Sequence, residues 1–249
     1  MCLIGFTKYM GVYKMSKVKK FFDEFSDHYD EFAFHSSVGT LFLSLIEESF
    51  ILGNSLVSNN TKVLDIGLGT GRCSNLLAKQ GAKIYGLDIS NNMMKYAKKK
   101  LGKSLVEFKR LDVQKGIPYP DNYFDIIMNI RVLKYMSKWR FVIKEINRAL
   151  KPGGILLLEL SNKFSISSLG TKGTHYFLFD IKEVIKELEK NGFLIKNIEG
   201  GAKLPFTLYK NVNNYLLLNF LKNIEKILQI FLSFYLSRNI LIVAKKVRK

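Results

Sequence analysis

Apolar residues recur with two different spacings along the chain, and the spacing changes near residue 60. From Val18 to Phe34 the sequence VKKFFDEFSDHYDEFAF is amphipathic and acidic, and a second helical pattern runs from Thr40 to Val57. Beyond it, short continuous apolar runs alternate with longer helical patterns. The runs with the length and composition of strands are KVLDI, KIYGLDI, VEFKRL, FDIIMNI, GILLLEL, GFLIKNI and NILIVAK.

This alternation indicates the fold class. Helical patterns lie between the strands at residues 71–80, 92–101, 137–150 and 181–191. Strand followed by helix, repeated, is typical of a parallel sheet with helices on both faces. Uninterrupted apolar strands fit a sheet that is covered on both sides. We therefore predict an α/β domain.

Composition and charge exclude few classes of function. The net charge of +18 is spread over the body of the chain, and a basic surface favours anionic partners. A genome rich in A and T also produces abundant Lys, Asn and Ile, so the charge alone does not select a partner. Cys2 and Cys73 have no zinc-binding or disulfide spacing. With no apolar run long enough to span a bilayer, we expect a cytoplasmic protein without a metal site.

The stretch KVLDIGLGTGR leads from the first strand into a glycine-rich turn. A dinucleotide-binding fingerprint needs its third glycine three positions after the second, where this chain has Arg72. No Gly-Lys-Ser/Thr follows, which excludes a phosphate-binding P-loop. Asp65 precedes the turn, and its carboxylate would repel phosphates but suits an ammonium or a sulfonium. The loop therefore favours a cationic nucleoside without phosphates.

Two further carboxylates stand where the next strands end. Asp88 closes the second strand and can accept hydrogen bonds from both hydroxyls of a ribose. Asp112 follows the third strand and can accept a hydrogen bond from the exocyclic amine of an adenine. Ribose, adenine and an amino-acid head together describe S-adenosylmethionine.

Four motifs in order resemble those of the class I S-adenosylmethionine-dependent methyltransferases: VLDIGLGTG, GLDIS, RLDVQKGIPYPDNYFDIIMNIRVLKYM and LKPGGILLLEL. The resemblance covers about residues 18–200 and the last strand, and within the class it is strongest to small-molecule and quinone-type enzymes. It implies a Rossmann-like, seven-stranded, mostly parallel sheet with an antiparallel last strand. Residues 16–249 would form one domain with a helical cap at 16–57, after an unpatterned extension at 1–15.

The resemblance also implies roles for individual residues. The methionine end of the cofactor would contact the glycine loop, the ribose and adenine would contact the ends of the second and third strands, and the transfer site would follow the fourth strand. The implied cofactor-binding residues are Tyr29, Asp65, Gly67, Gly69, Asp88, Ile89, Asp112, Val113 and Asn129, and Asn129 and Arg131 are expected to line the methyl-transfer site.

Methyl transfer from a sulfonium is an in-line displacement that needs alignment and a dry pocket. A hydroxyl or an acidic carbon as nucleophile also needs a base. The candidates are His35 near the cap and His175 after the fifth strand. Where the family often has a histidine in the loop after the fourth strand, this chain offers Lys134 and Tyr135.

The connection before the last strand, residues 199–238, is longer than the hairpin common in the family. It contains an amphipathic helix whose apolar positions alternate by four and three: Leu217, Leu221, Ile224, Leu228, Phe231 and Tyr235. We expect a lid over the acceptor, because an apolar acceptor needs a covered pocket. A membrane-surface helix at 215–236, a dimer face and plain core packing stay open.

The sequence thus predicts a methyltransferase that acts on a small, apolar or amphiphilic acceptor. The stretch after the fourth strand reads NIRV rather than the Asn/Asp-Pro-Pro-Tyr used for base amines, which argues against nucleic-acid substrates. The alternatives are an RNA methyltransferase, motivated by the charge, and a non-catalytic partner subunit that binds the cofactor. The acceptor itself and the oligomeric state stay open.

Overall fold

The computed structural model describes residues 15–165 and 176–247. Its seven strands form a single sheet of order β3-β2-β1-β4-β5-β7-β6, in which β7 runs antiparallel to both of its neighbours and the other pairs are parallel. The strands are β1 Lys62–Ile66, β2 Lys83–Asp88, β3 Leu105–Arg110, β4 Phe124–Asn129, β5 Leu150–Ser161, β6 Phe193–Gly200 and β7 Asn239–Lys246. This confirms the predicted Rossmann-like fold.

The helices occupy the predicted gaps, with ends that differ from the expected ones by a few residues at most. The α-helices of the described residues are α1 Met15–Phe25, α2 Val38–Gly53, α3 Arg72–Ala78, α4 Asn91–Leu101, α5 Trp139–Ala149, α6 Ile181–Lys190, α7 Phe206–Lys210 and α8 Tyr215–Phe231. Two short elements join α1 to α2: a 3-10 turn, Ser26–His28, and then a π-helical turn, Glu31–His35. None of the helices in these two ranges has the length and apolarity needed to cross a bilayer.

The core lies on both faces of the sheet, as the continuous apolar strands predict. The side chains of β1 and β4 alternate between two buried clusters, so Leu64 packs on one face while Val63 packs on the other. The α5 helix packs its apolar side, including Ile143 and Ile146, into the first of these clusters. Burial on both faces fixes the register of the strands, because a slip of one residue would reverse every side chain.

The segment 199–238 has its own small core. Tyr209, Leu218 and Leu221 are buried there, against Val38 and Phe42 of the cap. Glu225 is buried at the centre, where its carboxylate accepts hydrogen bonds from the Lys203 and Leu204 backbone nitrogens (2.9 and 2.8 Å) and from the Tyr209 hydroxyl (2.6 Å).

This arrangement corrects the expectation that α8 forms the lid. Leu221 belongs to the core of the segment, and none of the α8 side chains that the structure describes, residues 215–230, lines the cavity described below. The segment reaches the cavity through Phe206 and Arg238 instead. Spacing alone could not reveal this, because α8 carries two apolar stripes of the same period and only one of them faces the protein.

Candidate active site

A cavity of about 370 Å³ opens at the edge of the sheet where the parallel strands end. Its walls come from the glycine loop after β1, the carboxyl end of β2, the turns after β3 and β4, and the N-terminal cap. Open α/β sheets bind their ligands at this edge, in the crevice where the order of strands reverses. Here the reversal falls between β1 and β4.

The glycine loop has a shape that other residues would not allow. Gly67 and Gly69 have φ angles of +78° and +54°, in the left-handed region. A Cβ atom on Gly67 would lie 2.3 Å from a methyl group of Val132, so a side chain cannot be accommodated there. A Cβ on Gly69 would meet only the carbonyl oxygen of Gly67, at 3.9 Å, because this position adjoins the open cavity.

Asp65 is buried at the end of β1 and lines the cavity. The hydroxyl of Ser74, in the first turns of α3, donates a hydrogen bond of 2.6 Å to its Oδ2. Burial raises the pKa of Asp65 to about 6, and the Ser74 hydrogen bond opposes this shift. A cation beside this carboxylate would favour its ionised form.

Asp88 stands at the end of β2, where it holds the glycine loop. Its two oxygens accept hydrogen bonds of 2.8 Å from the backbone nitrogens of Gly69 and Ser90, and burial raises the pKa of the carboxyl group. Asp112 caps the turn after β3, accepting a hydrogen bond of 3.0 Å from the Gln114 nitrogen. Both carboxylates line the cavity, and each retains lone pairs for a ligand: Oδ1 of Asp112 accepts from the backbone and side chain of Gln114, which leaves its Oδ2 available.

The cap is fastened over this end of the cavity by hydrogen bonds from its acidic side chains. Three of these bonds are 2.6 Å long. Asp23 accepts from the Ser90 hydroxyl and Asp27 from the Tyr96 hydroxyl. Asp30 accepts from the Thr70 hydroxyl. Asp30 also pairs with Lys100 of α4. The acidic pattern of the N-terminal segment therefore serves to dock it on the loops that carry the cofactor motifs.

The opposite end of the cavity, beyond β4, carries cations. Arg131 has a φ of +65°, a strained conformation for a residue with a side chain, and it lies 3.7 Å from Glu47. Lys134 and Arg238 also line this end. Their charged groups lie over the rings of Tyr176 (4.9 Å) and Phe206 (4.7 Å).

Most of the residues expected at the site do line the cavity: Tyr29, Asp65, Gly67, Gly69, Asp88, Ile89, Asp112, Val113 and Arg131. Asn129 does not, which corrects its predicted place. It is fully buried, its Oδ1 accepts a hydrogen bond of 3.0 Å from the Leu133 nitrogen, and its Nδ2 has no partner among the described residues. The side chain therefore stabilises the turn after β4.

The structure describes only one of the two histidines that were candidates for the base. His35 is exposed at the end of the π-helical turn and does not line the cavity, so the expectation that it supplies a base there is corrected. His175 lies outside the described residues.

Sequence reasoning missed Arg72 and Arg238. Arg72, which fills the position of the third dinucleotide glycine, forms ion pairs with Glu47 and Glu48 of α2 and stacks on Phe34 at 4.0 Å, tying α3 to the cap. Arg238 precedes β7. Because β7 is antiparallel, its first residue Asn239 pairs with Ser161 at the end of β5, which places Arg238 at the ligand-binding edge. An arginine just before an antiparallel last strand was the available signal.

The residues at the β1–β3 end fit a nucleoside with a cationic amino-acid tail. Three carboxylates line the cavity and the loop has space at Gly69. Arg72 also lines the cavity, but its guanidinium is paired with Glu47 and Glu48 of the cap. The fold and this site define a Rossmann-like α/β protein that binds a nucleoside cofactor.

Comparisons with known proteins identify the family. Residues 64–158 match the methyltransferase domain family. The chain is 31% identical over 172 residues to the demethylmenaquinone methyltransferase of Geobacillus stearothermophilus, covering 67% of this chain and 71% of that one. It is also 31% identical over 162 residues to a ubiquinone/menaquinone biosynthesis C-methyltransferase of Cupriavidus taiwanensis, covering 63% of this chain and 65% of that one, just under two thirds of its length.

Solved structures agree on the fold. The S-adenosylmethionine-dependent methyltransferase of Mesorhizobium loti superposes with a TM-score of 0.59 at 16% identity, covering 79% of this chain and 95% of that one. The chain therefore belongs to the class I S-adenosylmethionine-dependent methyltransferases, with S-adenosylmethionine as its cofactor.

Proposed function

We propose that this enzyme methylates a small, amphiphilic aromatic acceptor that is held beside the cofactor in the same cavity. The observation that carries the proposal is the lining of the cavity, which combines three carboxylates at one end with a wall of aromatic and apolar side chains. That wall is formed by Phe21, Phe22, Phe25, Phe32, Met136, Tyr176 and Phe206. Carboxylates suit the cofactor, whereas an apolar wall suits an aromatic or prenylated acceptor.

When bound, S-adenosylmethionine supplies an electrophilic methyl group. In our proposal Asp65 binds its ammonium, Asp88 its ribose, and Asp112 with the Val113 backbone its adenine. Tyr29 packs against Phe22 and Phe34, with ring centroids 5.8 and 5.7 Å away, and closes the cavity from the cap. The cap residues exclude water and align the acceptor for an in-line displacement, which is the main contribution such an enzyme makes.

The relatives suggest the acceptor class. Two of them are named as quinone methyltransferases, one of them a C-methyltransferase. We infer that the acceptor is a reduced quinone or a related hydroxylated ring, whose ring carbon or oxygen receives the methyl group. Arg131, whose backbone is strained in the turn after β4, is our candidate for contact with the reacting ring.

An acceptor screen tests this proposal. The purified protein is incubated with S-adenosylmethionine carrying a labelled methyl group and, in parallel, with 1,4-naphthoquinol, a prenylated naphthoquinol, and total transfer RNA. We expect label in the naphthoquinols. Label in RNA would favour the alternative of an RNA methyltransferase, and cofactor binding without any transfer would favour a non-catalytic partner subunit.

We also propose that α8 makes a peripheral contact with an anionic membrane surface. Its outward side carries a second apolar stripe, Leu216, Phe220, Ile227 and Ile230, all more than half exposed. Lys226 is exposed beside it, and the chain as a whole carries a charge of +18. An exposed apolar stripe with neighbouring lysines suits the interface of an anionic bilayer, where a prenylated acceptor would be found.

A further inference from the structure

The cavity is divided electrostatically along the order of the strands. Asp65 is the last residue but one of β1, Asp88 is the last residue of β2, and Asp112 follows β3. These three strands form one half of the sheet. The cations that line the other end come from the turn after β4 and from the residue before β7. We name Arg131, Lys134 and Arg238 the cation cluster. The carboxylates face the cofactor in our proposed function, so the cation cluster faces the acceptor.

Two members of the cation cluster have no carboxylate partner. All 21 Asp and Glu residues of the chain lie in residues 15–165 and 176–247, and within these ranges none forms an ion pair with Lys134 or Arg238. Arg131 has only Glu47, at 3.7 Å, and Arg72 uses the same carboxylate.

Besides Glu47, one other carboxylate interacts with the cluster, but it forms no ion pair with any of the three cations. Glu159 is buried in β5 behind the cavity wall; its Oε1 accepts a hydrogen bond of 2.6 Å from Asn239, and its Oε2 has no partner among the described residues. Burial, and then the charge of Glu47, raise the pKa of Glu159 to about 7. The positive charges of Arg131, Lys134 and Arg238 oppose this rise in pKa, so Glu159 compensates the cluster only in part and without an ion pair.

The cations pay an electrostatic cost in this position. Burial, and then repulsion by Arg131, lower the pKa of Lys134 to about 8, and the same two causes lower the pKa of Arg238. Both side chains are partly buried, and charges removed from water are normally paired because desolvation is expensive without a partner. The unpaired groups lie against Tyr176 and Phe206, which form a flat, apolar surrounding for them.

We propose that Lys134 and Arg238 bind the oxyanion of an aromatic acceptor, so that the enzyme takes its acceptor as a phenolate or enolate. This rests on the proposed function, and it names the ionic form of the acceptor and the residues that recognise it. An anion between the two cations completes their pairing, and the aromatic surroundings select a flat ring over a simple inorganic anion. Positive charges also lower the pKa of a bound hydroxyl, which converts it to the better nucleophile.

A spectroscopic titration tests the inference without turnover. 4-Nitrophenol is used as the probe because its anion absorbs visible light and its neutral form does not, and 4-nitroanisole serves as the neutral probe of matched shape. At a pH about one unit below the solution pKa of the probe, where the neutral form dominates, the parent protein is expected to bind nitrophenol and to raise its visible absorption. 4-Nitroanisole is expected to bind at least tenfold more weakly, as for loss of a charge-assisted hydrogen bond.

Variants assign the effect to residues. Lys134→Met and Arg238→Gln should each weaken nitrophenolate binding by about tenfold or more and leave nitroanisole binding unchanged. Lys134→Arg should retain most of the affinity. Lys138→Met is the matched control, since this lysine is exposed four positions along the chain and does not line the cavity. Equal affinity for both probes in the parent, or full nitrophenolate affinity in both cluster variants, would overturn the inference.

Two further measurements keep the outcomes distinct. Displacement of nitrophenolate by an equal concentration of inorganic phosphate would overturn the assignment to a phenolate or enolate, in favour of a phosphorylated acceptor. S-adenosylmethionine is titrated into every variant by calorimetry: retained cofactor affinity shows that the fold is intact. If the parent itself fails to bind the cofactor but binds nitrophenolate, the proposed function fails while the oxyanion site stands.

Discussion

The hydroxyl of Thr70 donates a hydrogen bond of 2.6 Å to the carboxylate of Asp30, which joins the glycine loop to the N-terminal cap. Thr70 lies between the second and third glycines of the motif, and Asp30 lies at the start of the π-helical turn. The same carboxylate pairs with Lys100 of α4. Opening the cap over the cofactor must therefore break contacts with the loop that binds the cofactor.

Asp30→Asn should consequently weaken the affinity for S-adenosylmethionine by about 0.5–1.5 kcal/mol, because it removes an ion pair and weakens the Thr70 hydrogen bond. Most of the loss should appear as faster dissociation of the cofactor, measured by stopped-flow fluorescence. Glu24→Gln is the control in the same cap, since Glu24 and its partner Lys20 are both about two-thirds exposed. A lower melting temperature with unchanged cofactor dissociation would show that the contact stabilises the cap without gating the site.

Lys134→Met should raise stability, because it removes an uncompensated cation beside Arg131 and Arg238. The pKa of Lys134 falls from 10.5 to about 8 in the folded chain. Between these values the unfolded chain binds a proton that the folded chain does not, so the stability of the parent increases with pH across this window. The gain in stability of Lys134→Met over the parent should therefore be largest below about pH 8 and absent above pH 10.5.

Thermal unfolding at pH values on both sides of this window measures the effect. We expect a gain on the order of 1–3 kcal/mol at neutral pH, since a shift of one pKa unit corresponds to about 1.4 kcal/mol. Lys138→Met should show no such gain. An unchanged or lower melting temperature for Lys134→Met at neutral pH would mean that the cation cluster is neutralised within the protein.

The sequence predicts the position of a residue well when the helix or strand that contains the residue determines that position. Asp65 and Asp88 line the cavity because each lies within the last two residues of its strand, and all parallel strands end at the same edge of the sheet. Their contact with the cofactor stays a prediction. Asn129 also ends a strand, yet its side chain points into the core. Successive side chains alternate between the faces, and the sequence does not fix which face adjoins the cavity.

The residues at the acceptor end of the cavity could not be predicted from local sequence, because their positions depend on how distant parts of the chain pack together. Arg238 reaches the cavity only because β7 inserts antiparallel between β5 and β6. Similarly, α8 has two apolar stripes with the same alternation of four and three residues, and only packing against Phe42 and Tyr209 determines which of them is buried. Periodicity identifies an amphipathic helix, but it cannot choose between two equivalent faces.

The outward apolar stripe of α8 predicts that the protein binds anionic vesicles. Phe220→Ser combined with Ile227→Ser should reduce sedimentation with vesicles that contain phosphatidylglycerol by about tenfold or more, because each side chain contributes buried apolar area at the interface. Cofactor affinity should not change, as neither residue lines the cavity. Leu56→Ser is the control, since this leucine is almost fully exposed outside the stripe.

The alternative occupant of this stripe is a second copy of the chain. Light scattering of the parent would then report a dimer that the double substitution converts to a monomer, and neither protein would sediment with vesicles. That pair of results would contradict the membrane contact.

The start of the folded domain can be tested by truncation. α1 begins at Met15, and its Val18 is buried. A chain that begins at Met15 should keep its melting temperature and its affinity for S-adenosylmethionine. A chain that begins at Ser26 lacks α1 and should bind the cofactor more weakly, because residues of α1 line the cavity. A large drop in melting temperature for the chain beginning at Met15 would contradict this boundary.

Calorimetric titration of S-adenosylmethionine into the parent and into Asp88→Ala tests the central claim most directly. We expect one cofactor bound per chain, and a loss of about 1.5–3 kcal/mol in the variant, the range for a hydrogen bond to a charged group. Asp121→Ala, which changes an exposed aspartate on another part of the surface, should bind as the parent does. No binding to the parent, or equal affinity in Asp88→Ala, would contradict the assignment of this cavity to S-adenosylmethionine.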